Sequence, residues 1–259
     1  MSSIDHYENF PVASWLCPAQ LRPAVQAIYH FARTADDLAD EGQAPAHHRL
    51  DDLGQYRADL ESALRHDDTP SVRWPQVFGP LQAAVSSYQL PAQLLFDLLD
   101  AFEQDVVYAS VGQGYRNRKE LLDYCHRSAN PVGRLMLHLY GVNDGTSLAQ
   151  SDDICTALQL INFWQDRGED LRRGRDYLPQ GLTLNDALTW ARDLMQQGTP
   201  LVHRLKGRAG WELRAVVQGG LRILDKLDAR PETTEHMQLA RPTLNKLDIA
   251  RIAWRCVRM

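Results

Sequence analysis

The apolar residues of this chain recur with the spacing of helices along most of its length. Three groups show the pattern: Leu94, Leu95, Leu98, Leu99 and Phe102; Leu135, Met136 and Leu139; and Leu158, Ile161 and Leu171. Residues three and four apart lie on one face of a helix, so each group predicts one buried helical face. Alternating runs of β-branched residues, which indicate strands, are missing. The pattern therefore predicts an all-α fold.

Clusters of glycine, proline and short polar residues interrupt the helical pattern and predict roughly eight to ten helices. The clearest interruptions are at residues 41–45, 67–70, 112–114, 141–145, 179–181, 197–200 and 230–231. No internal repeat, low-complexity tract or long linker divides the 259 residues. We therefore expect a single domain over residues 1–259.

Two acidic motifs stand out, because each places two aspartates four residues apart near the end of a predicted helix. They pair Asp36 with Asp40 and Asp166 with Asp170. Such carboxylates share one helix face, repel each other and lie at the helix end that disfavours negative charge. Either motif alone is commonly just a solvated face. Two of them, flanked by apolar residues, predict paired sites for Mg²⁺, which binds carboxylate and phosphate oxygens.

Other polar residues are in phase with these motifs. Gln159 and Asn162 continue the second acidic row at helical spacing. Arg33 precedes Asp36 by one turn, and Arg172, Arg173 and Arg175 follow the second motif. Arginine is the usual bidentate partner of phosphate, although it could equally neutralise the neighbouring aspartates. Between the motifs, Pro131 follows Tyr124 and Asn130 in an apolar pattern and predicts a kinked core helix.

Composition excludes several classes of protein. The formal net charge is −5, from 28 basic and 33 acidic residues, which argues against a nucleic-acid-binding protein. Four scattered cysteines match no disulfide framework or metal spacing, so we expect reduced thiols and a cytoplasmic location. Residues 1–11 lack a signal-peptide pattern, and no apolar run approaches the ~18 residues that span a bilayer. Any membrane contact is therefore expected to be peripheral, at the inner face of the cell membrane.

The motifs, in this order and spacing, resemble the squalene/phytoene synthases, the head-to-head trans-isoprenyl diphosphate synthases. The resemblance runs nearly end to end and is carried by three segments. They are Tyr29-x-Phe31-x-Arg33-x-x-Asp36-Asp37-x-x-Asp40, then Tyr124-Cys125, then Gln159-x-x-Asn162-x-x-x-Asp166-x-x-Glu169-Asp170 with Gly174-Arg175-x-Tyr177-Leu178-Pro179. The resemblance implies an isoprenoid-synthase helical bundle around a central hydrophobic cavity, a Mg²⁺ cofactor and an isoprenoid diphosphate substrate.

The resemblance also implies roles for individual residues. The metal ligands are expected to be Asp36, Asp40, Asp166, Glu169 and Asp170. The substrate-binding residues are expected to be Arg33, Gln159, Asn162, Arg173 and Tyr177. Tyr124 matches a tyrosine that handles a proton or stabilises a cation near the departing diphosphate.

Two further segments resemble a bacterial branch of this family that is associated with hopanoid synthesis. They are residues 8–14 and the run Asn130-Pro131-Val132-Gly133-Arg134. The resemblance implies conversion of presqualene diphosphate to hydroxysqualene, alongside other enzymes of squalene synthesis. We expect Asn130 to position the water that captures the carbocation, because most of the family keeps that wall small and apolar. The alternatives are condensation of two farnesyl diphosphates to presqualene diphosphate, squalene or dehydrosqualene, a terpene cyclase, and a non-catalytic helical assembly protein.

Overall fold

A computed structural model describes residues 17–65, 71–230 and 241–259. These residues form eleven α-helices, joined by turns and short loops, and contain no β-strand. The helices are α1 (Arg22–Asp40), α2 (Ala46–Arg65), α3 (Pro75–Tyr88), α4 (Ala92–Val111), α5 (Arg118–Ser128), α6 (Asn130–Leu139), α7 (Gly145–Arg172), α8 (Leu184–Gly198), α9 (Leu201–Arg204), α10 (Gly207–Asp228) and α11 (Lys246–Arg258). The all-α prediction is confirmed. The expected turn at 67–70 and the N-terminal segment 8–14 lie outside the described residues.

The helices pack around two adjoining apolar cores. One core lies among α1 to α4 and is centred on Phe31, Tyr56 and Leu95, none of which has measurable exposure. The other surrounds α7, which packs against α6, α8 and α10, and contains Leu160 and Met195. Both acidic motifs belong to the long helices α1 and α7, so each core positions one of them.

Two separate helices, α5 and α6, occupy the region where one kinked helix was expected. The α5 helix ends at Ser128, Ala129 adopts φ −117° and ψ −46°, and α6 begins at Asn130. Pro131 therefore lies in the first turn of a new helix, where a missing N–H costs nothing and the fixed φ suits the helix. This break also explains why the number of helices exceeds the expected range, as does the four-residue α9.

Gly133 brings α6 directly against α7. A Cβ atom at this position would lie 2.4 Å from Ser151 Oγ and 2.5 Å from Cys155 Sγ, both on α7. A methyl group there would force Ser151 and Cys155 into other rotamers or push the two helices apart. This contact fixes the wall of the cavity described below.

Candidate active site

The first acidic row lies on the last turns of α1. Arg33 extends along the same helix and pairs with Asp36 at 3.0 Å, with Asp37 at 2.6 Å and with Glu41 at 3.0 Å. Burial raises the pKa of Asp36 to about 6, although Arg33 lowers it and the neighbouring Asp40 raises it further. Arg33 alone therefore does not offset the combined effect of burial and the neighbouring carboxylates on Asp36.

The second acidic row lies on the last two turns of α7. Asp166 accepts two hydrogen bonds from Arg241, from Nε at 2.5 Å and from Nη2 at 3.0 Å. Burial raises the pKa of Asp170 to about 7, and the charge of Asp166 raises it further. Burial also raises the pKa of Asp166, against the effect of Arg241. The carboxylates of this row are likewise incompletely compensated.

The structure brings the two rows together through the residues that follow α7. Arg173 Nη1 lies 3.3 Å from Asp40 Oδ2, while its Nη2 lies 2.5 Å from Glu169 Oε1. Arg175 forms a second ion pair with Asp40. The side chain of Arg175 is 18% exposed, against 53% for Arg173, so Arg175 is the more enclosed of the two. The opposition of the rows that the sequence predicts is therefore present.

Arginine side chains lie between the rows, and the carboxylates do not form a preformed set of metal ligands. Among residues 17–65, 71–230 and 241–259, no three acidic, histidine or cysteine side chains are close enough to share a metal ion. The donor type still fits Mg²⁺, which takes only one or two carboxylates and completes its shell with water and phosphate oxygens. Burial is the main cause of the raised pKa values of Asp36 and Asp170, and the neighbouring carboxylates add to it, Asp40 for Asp36 and Asp166 for Asp170. A cation bound between such carboxylates would relieve that repulsion.

An apolar cavity of about 570 Å³ opens beside the rows. Arg33, Asp36 and Gln159 line the end of the cavity at the acidic rows. Tyr140 and Glu212 are further polar residues of the cavity lining. Its walls come from α1, α4, α6, α7, α9 and α10, and include Val25, Ile28, Phe102, Met136, Leu158 and Leu213. The lining on α1 runs from Val25 to Asp36, which is about 16 Å at 1.5 Å per residue. The expected central hydrophobic cavity is present and is long enough to enclose an extended hydrocarbon.

An aromatic cluster adjoins the rows. The rings of Phe163 and Tyr177 stack with centroids 3.8 Å apart and an angle of 5°. Tyr124 lies 6.2 Å from Tyr177, and its hydroxyl donates a 2.5 Å hydrogen bond to Asp105 Oδ2. Burial raises the pKa of Asp105 to about 7, although the hydrogen bond from Tyr124 lowers it. Burial and the Asp105 charge raise the pKa of Tyr124, so the phenol keeps its proton.

Asn130 has a different environment from the one that its predicted role requires. Its side chain is 5% exposed, and Oδ1 accepts a 3.0 Å hydrogen bond from Thr156 Oγ1 on α7. It does not belong to the cavity lining, whereas its neighbours Val132 and Gly133 do. The structure therefore gives Asn130 a part in joining α6 to α7, and water positioning by this residue stays a prediction without a supporting contact. Asn162 is half-buried on α7 between Gln159 and Asp166.

The sequence alone does not single out Asp105 or Arg241. Asp105 follows Phe102 by three residues and Leu98 by seven, so it lies in phase with the buried face of α4. An acid on a core face is a signal that could have identified it. Arg241 lies 75 residues from Asp166, in the short segment before α11, and no local pattern predicts their contact.

Comparison with known proteins gives the chain its relatives. A family model described as squalene/phytoene synthase matches residues 5–187. A hydroxysqualene synthase of Rhodopseudomonas palustris is 32% identical, over 90% of this chain and 83% of that protein. A hydroxysqualene synthase of Zymomonas mobilis is 38% identical over 68% of this chain, and the match spans a little over half, 56%, of that relative. The crystal structure of squalene synthase HpnC from Alicyclobacillus acidocaldarius has a TM-score of 0.75 and 32% identity, covering 86% of this chain and 89% of that one.

Proposed function

Because this chain belongs to the squalene/phytoene synthase family, we propose that it is a Mg²⁺-dependent isoprenoid synthase that converts presqualene diphosphate to hydroxysqualene. The observation that carries the proposal is the meeting of two acidic rows at the polar end of a long apolar cavity. A diphosphate fits the charged end and a hydrocarbon fits the cavity. The hydroxysqualene synthases among the relatives support the choice of substrate and product.

The two rows supply the binding site for the diphosphate. Asp36, Asp40, Asp166, Asp170 and Glu169 are the residues that would hold Mg²⁺. When bound, Mg²⁺ acts as a Lewis acid that stabilises negative charge on the departing diphosphate.

Arg33, Arg173 and Arg175 already lie at these rows, each paired with an aspartate. Guanidinium groups are well suited to phosphate oxygens, so these arginines would bind the diphosphate at the rows. Gln159 extends the polar surface into the cavity, beside the first carbons of the substrate.

The cavity and the aromatic cluster control the carbocation. Burial of the hydrocarbon stabilises the complex by about 0.8 kcal/mol per CH₂ group, and the apolar walls keep bulk water from the cation. The aromatic rings of Tyr29 and Phe102, which line the cavity, stabilise positive charge inside it. Asp105 accepts the hydrogen bond of the single phenolic proton of Tyr124 and fixes the ring beside the rows. When Asp105 is itself protonated, which its pKa of about 7 allows, the phenol is free to donate its proton to the leaving group.

Product analysis tests this proposal. Purified protein is incubated with Mg²⁺ and presqualene diphosphate, and the neutral product is identified by mass spectrometry. We expect one alcohol that contains oxygen from the solvent, which H₂¹⁸O would label, and no product without divalent metal. Failure to consume presqualene diphosphate would contradict the proposal.

A parallel incubation with farnesyl diphosphate, with and without NADPH, addresses the condensation reaction. The same acidic rows could hold two farnesyl diphosphates, so geometry does not separate the two reactions. Formation of presqualene diphosphate, dehydrosqualene or squalene from farnesyl diphosphate would identify the chain as the condensing enzyme. We expect farnesyl diphosphate to remain unchanged in both incubations.

A further inference from the structure

One face of α11 is apolar and points away from the protein. The exposed fractions are 79% for Leu247, 60% for Ile249, 56% for Trp254 and 72% for Val257. At 100° per residue these positions, with the exposed Ala250 and Ala253 between them, cover about 160° of the helix. The side of the helix that packs on α10 carries two buried residues: Asp248, opposite the middle of the apolar face, and Cys256, next to its Ile249 edge. Exposed apolar residues scattered singly are ordinary, but six that share one helix face, interrupted by Lys246 at the first turn, are not.

Basic residues border this face. Arg251 and Arg258 lie along the edge next to Leu247 and Trp254, and the Arg258 guanidinium lies 3.9 Å from the centre of the Trp254 ring. Lys246 begins the helix and lies within the apolar arc, between the directions of Ala253 and Val257. The long stems of such residues can lie on apolar surface while their charges reach outward.

The acidic residue of α11 does not offset this positive charge at the surface. Asp248 is 1% exposed and accepts hydrogen bonds from Arg222, at 2.6 Å, and from Lys226. The outward face is thus cationic and apolar, although the whole chain carries a net charge of −5. Apolar residues, a tryptophan at the edge and flanking arginines form the composition of helices that lie in the interface of an anionic membrane.

We propose that this face of α11 docks on the surface of a bilayer that contains anionic lipids. Among the described residues, none of the helices has the length and hydropathy of a bilayer-spanning segment. The exposed apolar face of α11 suits contact in the plane of the lipid surface. Leu247, Trp254 and Val257 enter the boundary between head groups and acyl chains. Arg251 and Arg258 contact lipid phosphates, which provides the charge complementarity that selects anionic lipid. The docking is independent of the reaction that the acidic rows carry out.

Vesicle binding tests the proposal on the full chain. Sedimentation compares vesicles of phosphatidylcholine alone with vesicles that also contain phosphatidylglycerol. We expect binding to the anionic vesicles, weaker binding at high salt, and little binding to phosphatidylcholine. The double variant Leu247→Glu/Trp254→Glu should bind at least about tenfold less, because two charges replace the side chains that enter the lipid. Arg251→Gln/Arg258→Gln should lower the affinity by roughly tenfold, only for anionic vesicles.

A matched control is available elsewhere on the surface. Val72 is 96% exposed and lies outside α11, so Val72→Glu should bind vesicles as the unchanged protein does. Circular dichroism checks that all variants remain helical. The proposal is overturned if the unchanged protein ignores anionic vesicles, or if Leu247→Glu/Trp254→Glu still binds them. It is also overturned if light scattering shows a lipid-free dimer that this double variant abolishes, since the face would then belong to a second copy.

Discussion

The Tyr124 hydroxyl donates a 2.5 Å hydrogen bond to Asp105 Oδ2 and so joins α5 to α4 beside the acidic rows. Asp105 has a pKa of about 7, raised chiefly by burial, and the pKa of Tyr124 is also raised. The proton therefore stays on the phenol, and the carboxyl group fixes the direction in which the hydroxyl points. In the proposed reaction Asp105 is a positioning residue that acts through Tyr124.

Tyr124 and Asp105 should behave as one unit in mutant kinetics. We expect Tyr124→Phe and Asp105→Asn each to lower kcat for presqualene diphosphate by on the order of a hundredfold. The double variant should be little worse than either single one, because the second change removes an interaction already lost. Tyr108→Phe is a matched control, since that half-buried hydroxyl makes a 3.4 Å hydrogen bond to Glu120 and none to Asp105. Losses that multiply in the double variant would show that the two residues act independently.

Arg175 should matter more to diphosphate binding than Arg172. Arg175 is enclosed and pairs with Asp40, whereas the exposed Arg172 hydrogen-bonds the backbone oxygen of Gly168. We expect Arg175→Gln to lower kcat/KM by roughly tenfold to a hundredfold, as the loss of one charge-assisted hydrogen bond would. Arg172→Gln should change it less than about threefold. Steady-state rates over a range of substrate concentrations decide between them, and equal effects would contradict the placement of Arg175.

Gly133 should be intolerant of any side chain. Gly133→Ala would place Cβ against Ser151 and Cys155, which should lower the free energy of unfolding by about 1–3 kcal/mol. Gly54→Ala, in the exposed part of α2 where nothing lies within 4 Å of the new atom, should raise it by up to about 1 kcal/mol. Urea unfolding followed by circular dichroism measures both. If Gly133→Ala were as stable as Gly54→Ala, α6 and α7 could not be packed as closely as described.

Asp248 should give the protein part of its stability at neutral pH. Burial alone would raise its pKa, but hydrogen bonds from Lys226, from the Asn245 backbone and from Arg222 outweigh burial and lower it. A carboxyl group with a lower pKa in the folded state stabilises the fold above its ordinary pKa, near 4, and loses that effect as pH falls further.

We therefore expect Asp248→Asn to lower the free energy of unfolding by about 3–5 kcal/mol at pH 7 and to flatten its decline below about pH 4. Thermal unfolding across pH measures both effects. Asp52→Asn removes a surface pair with Arg73 and should cost only about 0–1 kcal/mol. If the stability of Asp248→Asn declined below about pH 4 as that of the unchanged protein does, Asp248 and its hydrogen-bond partners would not control the pH dependence.

Local sequence patterns predicted the elements of the site, but not how its charges are compensated. Asp36 with Asp40, and Asp166 with Asp170, are one turn apart on single helices, so spacing alone puts each pair on one face. The contact of Arg241 with Asp166 depends on how the segment before α11 returns to α7, which no short-range pattern specifies. The end of α5 at Ser128 was likewise missed, because a proline in an apolar pattern fits both a kink and a new first turn.

Calorimetric titration with Mg²⁺ and inorganic diphosphate tests the joint action of the two acidic rows most directly. The unchanged protein should bind diphosphate only when Mg²⁺ is present. Asp36→Asn and Asp166→Asn should each lose that binding while keeping their helical circular dichroism, because each removes a carboxylate from a different row. Diphosphate binding that needs no metal, or that survives in either variant, would contradict the account.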